Sequence, residues 1–195
     1  FSATTERVAN NVASTTVGLV DKMMDFVGSF VDTSAFNVFG RYETVERSFE
    51  AMAVEGMEFE LEGINGYIVV KKHLDNKIVI RSKVKSPINN ADNILNFNDN
   101  GNTVSLKLNN TGNISVTHEV FLPAVRFSRI KLETSNGRIH VEDSLAQVFE
   151  ASTRNAHIEL MGVNSDKIGV KTKNAKIQIS YVIGREIQIN TTNSV

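Results

Sequence analysis

Apolar and polar residues alternate through the last third of the chain, and the alternation restarts every 19 residues. The segments RIKLETSNGRIHVEDSLAQ (129–147), VFEASTRNAHIELMGVNSD (148–166) and KIGVKTKNAKIQISYVIGR (167–185) align without a gap, and a fourth begins at Glu186 as EIQINTTNSV. Ile130, Phe149, Ile168 and Ile187 form one column, and Leu132, Ala151, Val170 and Ile189 the next. Thr134, Thr153, Thr172 and Thr191 are identical, as are Asn136, Asn155, Asn174 and Asn193. Gly137, Ala156 and Ala175 are small, Ile139, Ile158 and Ile177 are identical, and Val141, Leu160 and Ile179 close the set.

A period of two is the signature of a half-buried strand. Each unit therefore reads as strand, tight corner, strand, looser turn. Asn followed by a small residue marks the corner, since Asn tolerates left-handed backbone and Gly has no Cβ to clash. An Asn-Gly step between strands also fits a hairpin. Identical residues at one fixed period favour units stacked in register, about 4.8 Å apart, with Ile over Ile inside. One unit cannot stand alone: ordering each residue costs about 1–2 kcal/mol of backbone entropy, and each inward side chain returns only about 1.5–3 kcal/mol. The expected fold is all-β, a single-stranded β-solenoid of 19-residue coils stacked parallel and in register, whose open ends need covers.

The template recurs upstream in degraded form. Phe59, Leu61, Gly63, Asn65, Gly66, Ile68 and Val70 match Ile130, Leu132, Thr134, Asn136, Gly137, Ile139 and Val141, and Ile78 and Ile80 follow Phe59 and Leu61 at the same period. The register breaks near Ser86-Pro87, and residues 89–113 are rich in Asn, Asp and Gly, a loop signal. Val104, Leu106 and Leu108 alternate as a strand, and Gly112, Ile114 and Val116 echo the second half of a unit. Residues 36–195 thus form one expected domain, irregular over 36–128 and regular over 129–195. Over 3–31, Val8, Val12, Thr16, Leu19, Met23, Phe26 and Phe30 recur at helical spacing. Residues 1–35 are accordingly expected as an amphipathic helix that covers a solenoid end or makes an oligomer contact. Its few charges nearly cancel, which disfavours a membrane-surface role.

Composition narrows the chemistry. There is no Cys, so disulfides, thiolate catalysis and Cys-based zinc sites are excluded. A net charge of -1 gives no global pull toward nucleic acid or anionic lipid. No long apolar run implies membrane insertion within this segment. The chain starts at Phe1 and stops at Val195 within a repeat, which reads as a piece of a longer protein.

Stacking places Arg138, His157 and Lys176 in one outward column, with His140, Glu159 and Gln178 beside them. This stripe is the candidate site for an anion or glycan, with His140 and Glu159 as a conceivable acid–base pair; a solvated face with cross-strand charge pairs is the simpler account. Glu142-Asp143, Glu133 and Glu150 show no metal-ligand spacing, and the loop over 92–102 lacks the acidic ligands of a calcium loop. No nucleotide, hydrolase or zinc-protease motif occurs. No catalytic residue, metal or cofactor is expected.

From about residue 38 onward the chain resembles the bacterial putative-adhesin β-strand-repeat family, a domain family of unknown function. The likeness rests on GRYETVERSFEA (40–51), on VFLP (120–123) and on the TSNGRIHVE-like units that follow. Ala156 and Ala175 depart from it, standing at the family's second and third Gly positions. The resemblance implies a β-solenoid at a bacterial envelope or surface, with no assigned catalytic residues. Three functions follow as expectations. The first is a non-enzymatic adhesin-like binding or scaffold module for protein or cell-surface glycan, able to self-associate through the N-terminal helix or an open solenoid end. The second is a sensory or regulatory ectodomain of an envelope-stress protein. The third is a polysaccharide-active enzyme.

Overall fold

The computed structural model describes residues 42–88, 91–109 and 112–193. The helix expected over 3–31 lies outside them. Among the described residues there is no α-helix, only a 3-10 turn at Ala91–Asn93.

The repeat units fold as their alternation requires. Each contributes a first strand, β8 (Phe127–Thr134), β10 (Leu145–Ser152), β12 (Asn164–Thr172) or β14 (Glu186–Thr191), and, in the first three, a second strand, β9 (Ile139–Glu142), β11 (Ile158–Met161) or β13 (Ile177–Ser180). First strands pair in parallel with first strands, Phe149 against Ile130 and Ile168 and Ile168 against Ile187. Second strands do likewise, Ile158 against Ile139 and Ile177. The hairpin alternative is thereby excluded for this region.

The upstream half departs from expectation. Its strands are β1 (Tyr42–Met52), β2 (Glu58–Gly63), β3 (Ile68–His73), β4 (Lys77–Pro87), β5 (Leu95–Asp99), β6 (Thr103–Leu108) and β7 (Ser115–Pro123). β2 and β3 join the stack where the degraded template places them, Phe59 beside Ile130 and Ile68 beside Ile139. β4 does not. Ile78 and Ile80 lie antiparallel to Ala51 and Phe49, and Ile80 faces Val120 on its other side, away from the expected places over Phe59 and Leu61. β6 is the strand that Val104, Leu106 and Leu108 predict, and β5 pairs antiparallel with it inside the stretch expected as loop.

The single-stranded β-solenoid is therefore corrected. The described residues form two mixed seven-stranded sheets, in the orders β1-β4-β7-β3-β9-β11-β13 and β14-β12-β10-β8-β2-β6-β5. The physical reason is that β4 and β5 run against the other strands of their sheets, β4 between β1 and β7 and β5 beside β6. Alternation reports which face of a strand is buried and is blind to its direction.

The inward faces of the two sheets share one core. Phe59, Ile130 and Phe149 of the second sheet and Ile68, Ile139 and Ile158 of the first are fully buried in it. Two hydrogen-bond ladders fix the corner between β8 and β9 and its equivalents. The side-chain amide of Asn136 donates to Asn65 (2.6 Å), Asn155 to Asn136 (2.5 Å), Asn174 to Asn155 (2.5 Å) and Asn193 to Asn174 (2.8 Å). The hydroxyls of Thr153, Thr172 and Thr191 donate to the carbonyls of Gly137, Ala156 and Ala175.

Left-handed backbone falls mainly at the other corner. Asp143 (φ 51°), Gly162 (φ 70°) and Tyr181 (φ 54°) occupy one repeat column, whereas in the Asn column only Asn65 (φ 53°) has positive φ. The small residue after Asn thus answers close approach. A Cβ on Gly137 would stand 1.6 Å from the Gly66 carbonyl oxygen. The Gly/Ala column makes Gly137→Ala look conservative, yet the backbone must move to admit it. It is expected to cost about 2–4 kcal/mol, as overpacking and strain do, while Ala156→Gly costs about 1 kcal/mol. Urea unfolding of both variants checks the ordering.

One polar link joins the sheets inside the core. His118 on β7 is fully buried. Its Nε2 lies 2.9 Å from the Glu62 carbonyl of β2, which only accepts, so Nε2 carries the proton and Nδ1 accepts from the Ser82 hydroxyl at 2.8 Å. Burial pushes the ring down from its ordinary 6.5 to about 4, against the opposing effect of the Glu62 carbonyl. The unfolded chain then binds the proton more readily, so His118 contributes stability above pH 6.5 that is lost progressively as pH falls toward 4. The contribution is about 3 kcal/mol. His118→Gln is expected to remove this part of the acid limb, seen as a flatter plot of unfolding free energy against pH over that window.

Candidate functional site

Outward residues make two faces. On the first sheet the structure brings the candidate stripe together. Arg138, His157 and Lys176 are exposed, and their carbonyls accept from Ile68, Ile139 and Ile158 at 2.9, 3.1 and 3.2 Å, so the three side chains rise from one row. His140 and Glu159 are adjacent in the next row. His140 Nδ1 meets Glu159 at 3.1 Å and Nε2 meets Glu142 at 2.9 Å. Both ring nitrogens are therefore occupied by carboxylates of the protein itself, which leaves neither open to a substrate. The stripe carries Arg138, His157 and Lys176 on one row and a carboxylate-clamped imidazole on the next.

Further along the same face, Glu119 on β7 is almost excluded from solvent, and its carboxylate oxygens lack hydrogen-bond donors. Burial raises its pKa, while Lys71 and Arg81 act to lower it. Arg81 stands 3.8 Å away and lies over the Phe121 ring.

The outer face of the second sheet carries the better-shaped feature. One row runs Lys131, Glu150, Gly169, Gln188 across four first strands. Gly169 supplies no side chain to this row, and a depression of about 340 Å³ opens there. Its rim includes Arg129, Lys131, Glu133, Glu150, Lys171 and Asn190. Most of these charges are matched within the face. Arg129 binds Glu150 through Nε at 2.9 Å and Nη2 at 2.5 Å, and this pairing holds the guanidinium more firmly charged. Lys131 meets Glu133 at 2.8 Å. Beyond the rim, Lys107 pairs with Glu60 at 3.0 Å, which lowers the Glu60 pKa and raises that of Lys107. Lys171, also on the rim, makes no ion pair among the described residues. The depression thus offers one cation with its charge unspent, beside the amides of Gln188 and Asn190 and the Ser152 hydroxyl. Among the described residues no group of three His, Asp or Glu side chains is placed to hold a metal ion.

The spacing of Glu133 and Glu150 gives them no metal-ligand role in the sequence, and nothing in the motifs singles out Arg129, Lys131 or Lys171. A signal was present: at the column occupied by Lys131, Glu150 and Gln188, the third unit alone has Gly.

No family model matches the chain, and no curated protein matches it in sequence. Solved structures do show a likeness. A putative cell adhesion protein from Clostridium sporogenes aligns over 77% of this chain and 99% of its own, at 11% identity and a TM-score of 0.43. A putative adhesin from Parabacteroides merdae aligns over 74% and 96%, at 8% identity and a TM-score of 0.28. One from Parabacteroides distasonis aligns over 80% and 98%, at 10% identity and a TM-score of 0.29.

Proposed function

We propose that the chain is a non-enzymatic, adhesin-like binding module of the bacterial envelope that takes an acidic saccharide on the outer face of its second sheet. The observation that carries this reading is the depression at Gly169, where the charges of Arg129, Lys131, Glu133 and Glu150 pair off and Lys171 stays open. A carboxylate meets Lys171, and hydroxyls meet the amides and hydroxyl around it, a division of labour that suits a sugar acid. The site is shallow and built on paired strands, so it presents a fixed surface to a large ligand. The family resemblance from residue 38 onward supports the envelope setting.

Gly169 gives a clean test. A Cβ there meets nothing closer than Glu150 Cγ at 3.8 Å, so Gly169→Gln fills the depression without disturbing the fold. The 195-residue chain is expected to bind uronic-acid oligosaccharides over their neutral counterparts on a glycan array, more weakly as salt rises. Gly169→Gln and Lys171→Glu are each expected to lower that binding about tenfold or more, as loss of a charge-assisted contact does, with melting temperature unchanged. Mass spectrometry of the eluted oligosaccharides is expected to show them uncut. Equal binding of neutral sugars, indifference to both variants, or shortened products would overturn the reading.

A further inference from the structure

A second charged feature lies at the corner where each first strand passes into its second. The corner segments at 135–138, 154–157 and 173–176 read SNGR, RNAH and KNAK. They hold Arg138, Arg154, Lys173 and Lys176 and no acidic residue, in a chain whose net charge is -1. Cations at the opposite ends of the first strands are matched, Lys167 with Glu186 and Arg185 with Asp166. The four corner cations are exposed and make no ion pair among the described residues. Acids on the adjoining strands are engaged, Glu133 by Lys131 and Glu159 by His140.

Registration turns these segments into rows. The Lys173 backbone N–H donates to the Arg154 carbonyl at 3.1 Å, and those of Ile139 and Ile158 donate to the carbonyls of His157 and Lys176. Neighbouring units stand about 4.8 Å apart. Arg154 and Lys173 are therefore neighbours in one row, and Arg138 and Lys176 lie about 10 Å apart in the other, with His157 between them.

The Asn ladder runs between the two rows. The Oδ1 atoms of Asn136, Asn155 and Asn174 each accept from the amide of the next unit, and each Nδ2 spends one N–H on the unit before. A second N–H remains on every amide, and Lys and Arg donate without accepting. The corner is thus a strip of donors, charged along both margins and neutral along the middle.

This layout suits a sulfated polysaccharide, which hangs acceptor-only sulfates from the margins of a chain whose middle is neutral sugar oxygen. A phosphodiester chain carries its charge on its own axis instead. Single-stranded nucleic acid also stacks its bases on aromatic side chains, and the three segments contain no Phe, Tyr or Trp. A lipid surface takes up apolar side chains as well as cations, and the apolar side chains of these segments are Ala156 and Ala175 alone.

We infer that the Asn corner is a binding strip, separate from the recess at Gly169, which takes a sulfated polysaccharide lengthwise along the stack. Sulfates meet the two cation rows, and sugar oxygens accept from the Asn amides between them. Dextran sulfate is the probe, since it carries sulfate and no uronic carboxylate. In fluorescence anisotropy, labelled dextran sulfate oligosaccharides are expected to bind the 195-residue chain, and unsulfated dextran of the same length is not. Arg154→Ser combined with Lys173→Ser is expected to weaken binding about tenfold or more, as lost charge-assisted contacts do. The fold accommodates this pair, because the same column already holds Ser135 and Thr192. Lys167→Ser combined with Arg185→Ser removes the same charge from the opposite ends of the strands. Lys167 lies about 20 Å along β12 from Lys173, beyond the reach of screened charge, so affinity is expected to stay within about twofold. Equal binding of unsulfated dextran overturns the inference. Equal losses in the two double variants also overturn it, since attraction would then be spread over the whole surface. So does polyphosphate that displaces the probe better than unlabelled dextran sulfate at matched charge.

Discussion

The structure depends on one constraint: the inward side chains of each unit must be covered by those of the units beside it and of the opposite sheet. A single unit has too few apolar residues to offset the entropy of ordering its own backbone. Phe149 is buried because Ile130 and Ile168 flank it within its sheet and the core residues of the first sheet close over it. Everything at the corner serves to keep this registration. The Asn amides and Thr hydroxyls satisfy polar groups along the stack, and the Gly66 carbonyl packs against Gly137 so closely that no side chain fits between. The same requirement explains His118, whose neutral ring is tolerated in the core because a hydroxyl and a carbonyl occupy both its nitrogens.

The constraint also divides the molecule functionally. Inward positions are committed to packing, so variation is confined to the outward columns and the ends. On the second sheet, opposite charges are set across neighbouring strands and neutralise one another, and a missing side chain at Gly169 leaves a recess next to the one rim lysine without an ion partner among the described residues. On the first sheet, the same freedom produces a row of Arg138, His157 and Lys176 beside a histidine held by two carboxylates. A recess with an unspent charge can enclose part of a ligand and fix its orientation.

Much of the regular half was legible because a repeat states its register twice, once in each copy. The columns through Ile130, Ile139 and Asn136 gave the pairing of β8 to β14 residue by residue, and even the degraded copy at Phe59–Val70 found its place beside them. The irregular half was not legible for a physical reason. Strand alternation is the same for parallel and antiparallel neighbours, so β4 read as another stacked unit although it runs back between β1 and β7. The corner was read in part: the Asn ladder follows from identity at one period, whereas left-handed backbone belongs to the Asp143, Gly162 and Tyr181 column, whose three unlike residues hide their shared conformation. The recess escaped because its signature is a side chain that is missing from one column.

Register is the claim beneath all of this, and a deletion tests it without any probe. Removal of residues 148–166 takes out one whole unit and lets Lys167 follow Gln147 with every column preserved. The shortened chain is expected to keep a strand-type circular dichroism spectrum and a cooperative unfolding transition at lower stability. Removal of 148–165, one residue fewer, turns every inward side chain downstream of the cut to the outer face and is expected to abolish cooperative unfolding of that region. If the two deletions behave alike, residues nineteen apart do not stack, and the account fails.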